Sequence, residues 1–245
     1  MKVSIVTCTW NSRQFLPAAL DSVRRQTHAD IECIFVDGGS DDGTLELIDT
    51  MERPFKVLHG VRGGISRAMN AGLHAATGDV VAHLHSDDFY LHDRVVADVV
   101  AAFDGSGAGW AFGRIVNVIE GRQVPESFTP PLYSRAALLR RNFIPHPATF
   151  VRRDWMEAAG GFDVGLRYAM DYDLWLRLCA RGDPICLPEA LAAFRQHPGS
   201  LSSSNRLAAF LEDHEVRMRH VGPGLLDRLE HRARFMVRRA RMRSA

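Results

Sequence analysis

The chain has 245 residues, enough for one large α/β domain or two small ones. It is 46% hydrophobic and 24% charged with a formal net charge of +1, so composition excludes a disordered chain and gives no global case for nucleic-acid binding. No apolar run approaches the roughly 18–20 residues that span a bilayer. The N-terminus lacks the apolar core and cleavage site of a signal peptide. Cys8, Cys33, Cys179 and Cys186 are scattered with no C-x-x-C pair, which predicts reduced cysteines, no zinc site and a cytoplasmic protein.

Val3–Thr7 reads as a buried strand. Phe15, Leu16, Ala19, Leu20 and Val23 then share one face of a helix that ends near Gln26. Ile31–Val36 is a second strand, followed by the turn-rich Asp37-Gly-Gly-Ser-Asp-Asp-Gly-Thr. Thr44–Met51 is predicted helical, Phe55–Leu58 is a short strand, and Ile65, Met69, Leu73 and Ala76 mark a helix stopped by Gly78. Val80–Leu84 is the next strand. This alternation predicts βαβ units and a largely parallel sheet. The rhythm then changes. Arg94–Phe103 is helical, Gly105–Gly109 is a loop, Trp110–Ile119 is a strand, and Glu126–Pro131 is a polar, proline-rich loop. Asn142–Val151 is irregular, Tyr172–Arg181 is a helix, and Ile185–Leu187 and Ala190–Phe194 are two short strands. From Asn205 onward the chain is helical and rich in arginine.

Several of these segments carry chemistry. The strand at Val80–Leu84 ends in His85-Ser86-Asp87-Asp88, which sets adjacent carboxylates at the mouth of a strand, where open α/β sheets bind ligands. Oxygen-rich sites of this kind suit Mg²⁺ or Mn²⁺ bridged to a substrate phosphate. Asp37 follows a buried strand and precedes two glycines. Its carboxylate either accepts hydrogen bonds from a base or ribose, or belongs to a turn that caps the helix at Thr44. An EF-hand is excluded, because Asp42 stands where that loop needs glycine. Gly63-Gly64-Ile65-Ser66 opens a helix whose free amides suit phosphate, but it is neither a P-loop nor G-x-G-x-x-G. Asp171 and Asp173 lie at a helix start about 200° apart around its axis, so they serve different purposes: helix caps, or a general base at Asp171. His197 sits on a constrained Gln-His-Pro-Gly loop, which suits a structural role or metal ligation.

In order and spacing, Val3–Asn11, Asp37–Thr44, Gly64–Asp79, His85–Asp88 and Asp171–Arg177 resemble the family 2 glycosyltransferases, over about residues 1 to 200. The resemblance implies a GT-A, Rossmann-like fold: a mixed, mainly parallel central sheet flanked by helices, with a helical C-terminal extension. It implies a catalytic domain over 1–204, split into a nucleotide-sugar-binding half (1–104) and an acceptor-binding half (105–204), and a basic extension over 205–245. Thr9, Trp10, Asn11, Asp37, Gly39, Gly64, Arg67, Asn70, Ser86 and Asp87 would line the donor. Asp87, Asp88 and His197 would hold Mn²⁺ or Mg²⁺, and Asp171 would be the base. The implied reaction moves a sugar with inversion from a nucleotide-sugar donor, UDP-linked by preference, to a hydroxyl of a glycan or lipid-linked acceptor, as in bacterial polysaccharide or glycolipid synthesis. The chain departs from the family at His85, Met69 and Met170, where members often carry Asp, Arg and Glu. The competing readings are a non-catalytic sugar-nucleotide-binding or scaffold protein and a nucleotidyltransferase. The arginines of 225–245, interspersed with Leu225, Leu226, Leu229, Phe235, Met236, Val237 and Met242, suggest a peripheral contact with the inner face of a membrane, a solvated helix, or a homo-oligomer contact.

Overall fold

The computed structural model describes residues 1–124, 130–200 and 205–243. In its first half, β1 (Val3–Thr9), β2 (Ile31–Asp37), β3 (Phe55–Leu58) and β4 (Val80–His83) pair in parallel in the order β3-β2-β1-β4. Helices α1 (Leu16–Arg24), α2 (Thr44–Ile48), α3 (Ile65–Ala75) and α4 (Val95–Phe103) make the connections or follow the strands. Every residue of β1 is buried, because a central parallel strand is flanked by strands and covered on both faces. Alternate residues serve two cores. Val6 joins Val36, Met69, Leu73 and Trp175, while Ile5 joins Leu16, Leu20, Phe35 and Val96.

The second half mixes strand directions. β5 (Phe89–Tyr90) is an edge strand and β6 (Trp110–Ile119) forms a hairpin with β7 (Arg122–Val124). β8 (Thr149–Arg152) runs antiparallel between β4 and β6. β9 (Ile185–Gln196) lies parallel to β6 and antiparallel to β5. The sheet is therefore mixed, with its uninterrupted parallel block confined to the first half.

Residues 185–187 and 190–194, expected as two strands, are one strand. Its pairing with β6 slips between Phe112 and Ile115, opposite the segment that holds Pro188, whose missing N–H cannot join a ladder. The segment expected to be irregular contains a 3₁₀ turn at His146–Ala148 and then β8. Two six-residue helices, α5 (Arg135–Arg140) and α6 (Arg153–Ala158), are too short to show a period in sequence. α7 (Met170–Cys179) begins two residues earlier than expected. α8 (Arg206–His220) packs into the main core through Val216, and α9 (Leu225–Arg243) follows. The loop expected over 126–131 lies largely outside the described residues, as does the domain boundary at 204.

α3 approaches β1 closely because position 72 has no side chain: a Cβ there would sit 2.3 Å from Val6 Cγ1. Gly→Ala in a free helix stabilises by about 1 kcal/mol. Here the sign reverses, since overpacking costs about 1–3 kcal/mol. Gly72→Ala is expected to lower the urea midpoint with an unchanged m-value; a higher midpoint would contradict this packing.

Candidate active site

The parallel pairing sets Thr9 opposite Asp37 at the carboxyl ends of β1 and β2. Asp37 is buried, and its carboxylate accepts hydrogen bonds from the amides of Gly39 (2.7 Å) and Ser40 (2.9 Å) and the hydroxyls of Ser40 (2.5 Å) and Thr9 (3.1 Å). Burial works against its charge, but these donors, led by Ser40, outweigh it and hold the carboxyl below its usual value. The two loops are stitched together further out. The Asn11 amide donates to Ser40 Oγ, Asn11 Oδ1 accepts from the Asp41 amide, and the Ser12 amide donates to Thr44 Oγ1. Asn11 takes a left-handed φ of 47° to do so. The Trp10 indole lies against Gly38 and is 71% exposed on this rim. Arg62 reaches back from beyond β3 to donate to the Gly38 carbonyl at 3.3 Å. Asp42 accepts from the Thr44 amide and hydroxyl, so the capping role weighed for this loop falls to Asp42 and leaves Asp37 to organise the turn.

Beyond β4 the chain turns at Ser86 and Asp87, and the end of β9 closes on it. His197 Nε2 lies 3.2 Å from Asp87 Oδ2, both partly exposed. Arg195 Nε donates to the Asp87 carbonyl at 3.0 Å, and its guanidinium lies over Phe15 and Phe89. Ser86 Oγ donates to Ser12 Oγ at 2.9 Å, tying this turn to the first loop. Asp88 does not join Asp87 and His197. It is only 3% exposed, and Oδ1 accepts the Arg195 amide at 3.0 Å. Burial and then the neighbouring Asp87 charge raise its carboxyl well above the usual range, against the opposing pull of Arg195. Of the three ligands expected from sequence, Asp87 and His197 come together and Asp88 turns to the Arg195 amide. Among the described residues no three His, Cys, Asp or Glu side chains converge on a metal position. Asp87 and His197 still suit a Mg²⁺ or Mn²⁺ ion that takes its remaining ligands from phosphate and water.

α3 starts at Gly64 (φ 101°) with no side chain capping its amides and open space where a Cβ would stand. Arg67 lies over Gly63. Asn70, expected at the donor, is turned inward: Nδ2 donates to the Phe162 carbonyl and Oδ1 accepts the Phe162 amide, each at 2.8 Å. Both ends of its amide tie α3 to the second half.

Asp171 opens α7 and is half-buried. Burial first, and then the charge of Asp213 on α8, push its carboxyl up to about 7, against hydrogen bonds from the Tyr172 amide and Asn142. Asp173 is buried and paired with Arg177 (2.8 Å) and His220 (3.0 Å), a structural role separate from that of Asp171. α8 grips this helix start with one face. The Glu212 carboxylate accepts the amides of Arg167, Tyr168 and Ala169, the buried Arg217 donates to the Tyr172 hydroxyl, and His220 meets Asp173. Nothing in the motifs marks Glu212 or Asp213. Their spacing with Val216, Arg217 and His220 has a helical period, which reveals a face but not what it meets. His85 stacks on His146 with centroids 5.0 Å apart, and His146 in turn faces Trp175 of α7 at 6.0 Å, so a line of rings connects the Asp87 turn to α7. Burial lowers both histidines below the usual imidazole range, which keeps them neutral.

The model of the family described as "Glycosyl transferase family 2" matches residues 4–158, more than half of the chain. A Mycobacterium tuberculosis chain described as an uncharacterized glycosyltransferase is 32% identical over 200 residues, which cover 78% of this chain and 74% of that one. Among solved structures, Staphylococcus aureus TarS residues 1–349 in complex with UDP-GlcNAc superposes with a TM-score of 0.74 at 20% identity, covering 96% of this chain and 70% of that one. A mannosyltransferase from Pyrobaculum calidifontis, in complex with GDP-Man and Mn²⁺, gives 0.73 at 18% identity over 96% and 69%. These likenesses give the fold: GT-A, as the resemblance implied.

Glu212 is the acceptor that orders residues 167–169. Replacing it with alanine leaves three amides without their carboxylate, and charge-assisted bonds of this kind contribute about 1.5–3 kcal/mol. Glu212→Ala is expected to speed hydrogen exchange at 167–169 selectively, with β1 and β2 unaffected. Protection equal to wild type at these amides would show that the cap does not hold them.

Proposed function

The chain belongs to glycosyl transferase family 2 and is a glycosyltransferase with a nucleotide-sugar donor, and we propose that it inverts the anomeric centre in a single displacement with Asp171 as the base. The carrying observation is the partly buried carboxyl of Asp171 at the start of α7, bonded to the Tyr172 amide and set beside Asp213, surroundings that raise it to about 7, the range in which a general base works best near neutral pH. In this reading Asp171 takes the proton of the acceptor hydroxyl as its oxygen attacks the anomeric carbon. The bond to the nucleoside diphosphate breaks on the opposite side, so configuration inverts.

The remaining residues position the donor. Asp37, buried and fixed by four donors, holds the turn that would meet the base or ribose, with Thr9, Asn11 and Gly39 shaping that turn and the Trp10 indole supplying an exposed stacking face. The open amides at Gly64, with Arg67 and Arg62 nearby, suit phosphate oxygens. Asp87 and His197 would hold the divalent cation, which when bound neutralises charge that develops on the departing diphosphate. The complexes of TarS with UDP-GlcNAc and of the Pyrobaculum enzyme with GDP-Man and Mn²⁺ support this assignment and favour a UDP- or GDP-linked donor. The acceptor we assign is a glycan or lipid-linked hydroxyl in surface polysaccharide or glycolipid synthesis.

Asp171→Asn is expected to lower turnover by about 10²–10⁴-fold across a panel of nucleotide sugars and hydroxyl acceptors, while nucleoside diphosphate binding persists. Turnover at the wild-type rate would remove Asp171 from the chemistry. The pH profile tests its surroundings. A base acts deprotonated, so kcat/KM rises with pH through about 7 in the wild type. Asp213→Asn removes a negative neighbour, which lowers the Asp171 value and moves the acid limb to lower pH. A limb that stays in place would detach Asp213 from the site. Mn²⁺ added with UDP is expected to stabilise the wild type by about 2.7 kcal/mol at a hundred times Kd. Asp87→Ala should lose the manganese-dependent part of this shift in thermal unfolding, and full retention would assign the ion elsewhere.

A further inference from the structure

α9 is amphipathic in an unusual sense: its apolar face looks away from the protein. At 100° per residue, Leu225, Leu226, Leu229, Ala233, Met236, Val237 and Ala240 fall within an arc of roughly 120°. The large members of this arc are exposed, Leu225 by 72%, Leu226 by 82% and Met236 by 59%. The opposite side is the one that packs. His231 is buried, Phe235 stacks on Phe210 and His214 of α8 with centroids 5.1 Å and 3.9 Å apart, and Arg238 donates to the Arg140 carbonyl. The helix is therefore held against the domain by one face and presents the other as a continuous stripe.

Arginine borders that stripe on both edges. Arg228 and Arg232 flank one side, where Arg239 folds over Phe235, and Arg234 and Arg241 flank the other. The helix has seven arginines against Asp227 and Glu230, and Glu230 is already bound to Arg234 at 2.8 Å. A stripe of leucine, methionine and valine between rows of fixed positive charge matches a bilayer interface. Acyl chains meet the centre and lipid phosphates meet the edges. A second copy of the chain fits less well. A two-fold pairing of these stripes would set arginine rows against each other with few acids to answer them. Among the described residues no helix is long and apolar enough to cross a membrane, so a surface contact is the membrane interaction open to this helix.

We propose that α9 seats the protein on an anionic membrane surface through the Leu225–Val237 stripe and its bordering arginines. This goes beyond the glycosyl-transfer reading and is independent of it, since it requires neither Asp171 nor Asp87.

The test is flotation of the full chain with vesicles. The protein is expected to float with vesicles of equal parts phosphatidylglycerol and phosphatidylcholine, to stay in the bottom fraction with phosphatidylcholine alone, and to release as salt is raised. Leu226→Glu combined with Met236→Glu alters exposed positions only and is expected to cut the bound fraction at least tenfold, with the far-ultraviolet spectrum unchanged. Arg232→Gln with Arg241→Gln should weaken binding and flatten its salt dependence. Three results would overturn the proposal: a wild type that fails to float with phosphatidylglycerol, apolar-face variants that float as well as wild type, or a wild-type dimer in sedimentation that the Leu226/Met236 variant converts to monomer. The last would give the stripe to a second copy.

Discussion

The parallel register of β2, β1 and β4 is the constraint on which the rest depends. Because β1 is central and pairs with neighbours on both sides, the carboxyl ends of three strands come out side by side. Thr9 is opposite Asp37 by backbone pairing alone, and the turn after β4 begins three residues past His83. That edge brings polar side chains out where amides at strand and helix ends are free to bind, which is why ligand sites recur there in open α/β sheets. Once Asp37 is fixed by Gly39, Ser40 and Thr9, the loops above it are stitched to one another, and the Trp10 indole stands exposed among them.

The second half completes this edge through a few long-range ties. Arg195 and His197 bring the end of β9 onto the Asp87 turn, so the candidate metal position joins segments more than a hundred residues apart in sequence. Asn70 joins α3 to Phe162, and Ser66 Oγ donates to the Leu166 carbonyl. Both ties hold the chain that leads into α7. α8 then fixes the start of α7 from the other side through Glu212, Arg217 and His220. The position of Asp171 therefore depends on residues beyond the segment that the family model matches.

How much of this could be read in advance follows from what each feature depends on. The first four strands and α1, α3 and α4 carry their own period or apolar run, and the Asp37 and Asp87 turns carry the glycines and carboxylates that a ligand-binding edge needs. Elements defined by pairing were not visible. β5 has two residues and exists because β9 lies beside it, and β9 stays one strand because β6 absorbs the slip at Pro188. Side-chain direction was not visible either. Asn70 and Asp88 have the residue types of ligand-binding groups, yet each faces inward onto backbone groups of a distant segment. The roles of Glu212 and Asp213 rest on which helix their face meets, which is a tertiary fact.

Asp88 and Asp171 both have raised proton affinity, and their surroundings differ. A buried carboxylate that merely stays protonated is a hydrogen-bonding group, whereas a base must reach solvent or an acceptor and release its proton near neutral pH. Asp88 is sealed, one oxygen bound to the Arg195 amide and its charge opposed by both burial and the adjacent Asp87. It links β9 to the turn that carries Asp87. Asp171 keeps an exposed edge, and the second contribution to its shift comes from Asp213, a group on another element whose own carboxyl is raised to about 6. Burial raises Asp213, and Arg217 opposes that rise. The charge of Asp213 raises the proton affinity of Asp171, so the surroundings of that carboxyl depend on a helix that contributes no motif of its own.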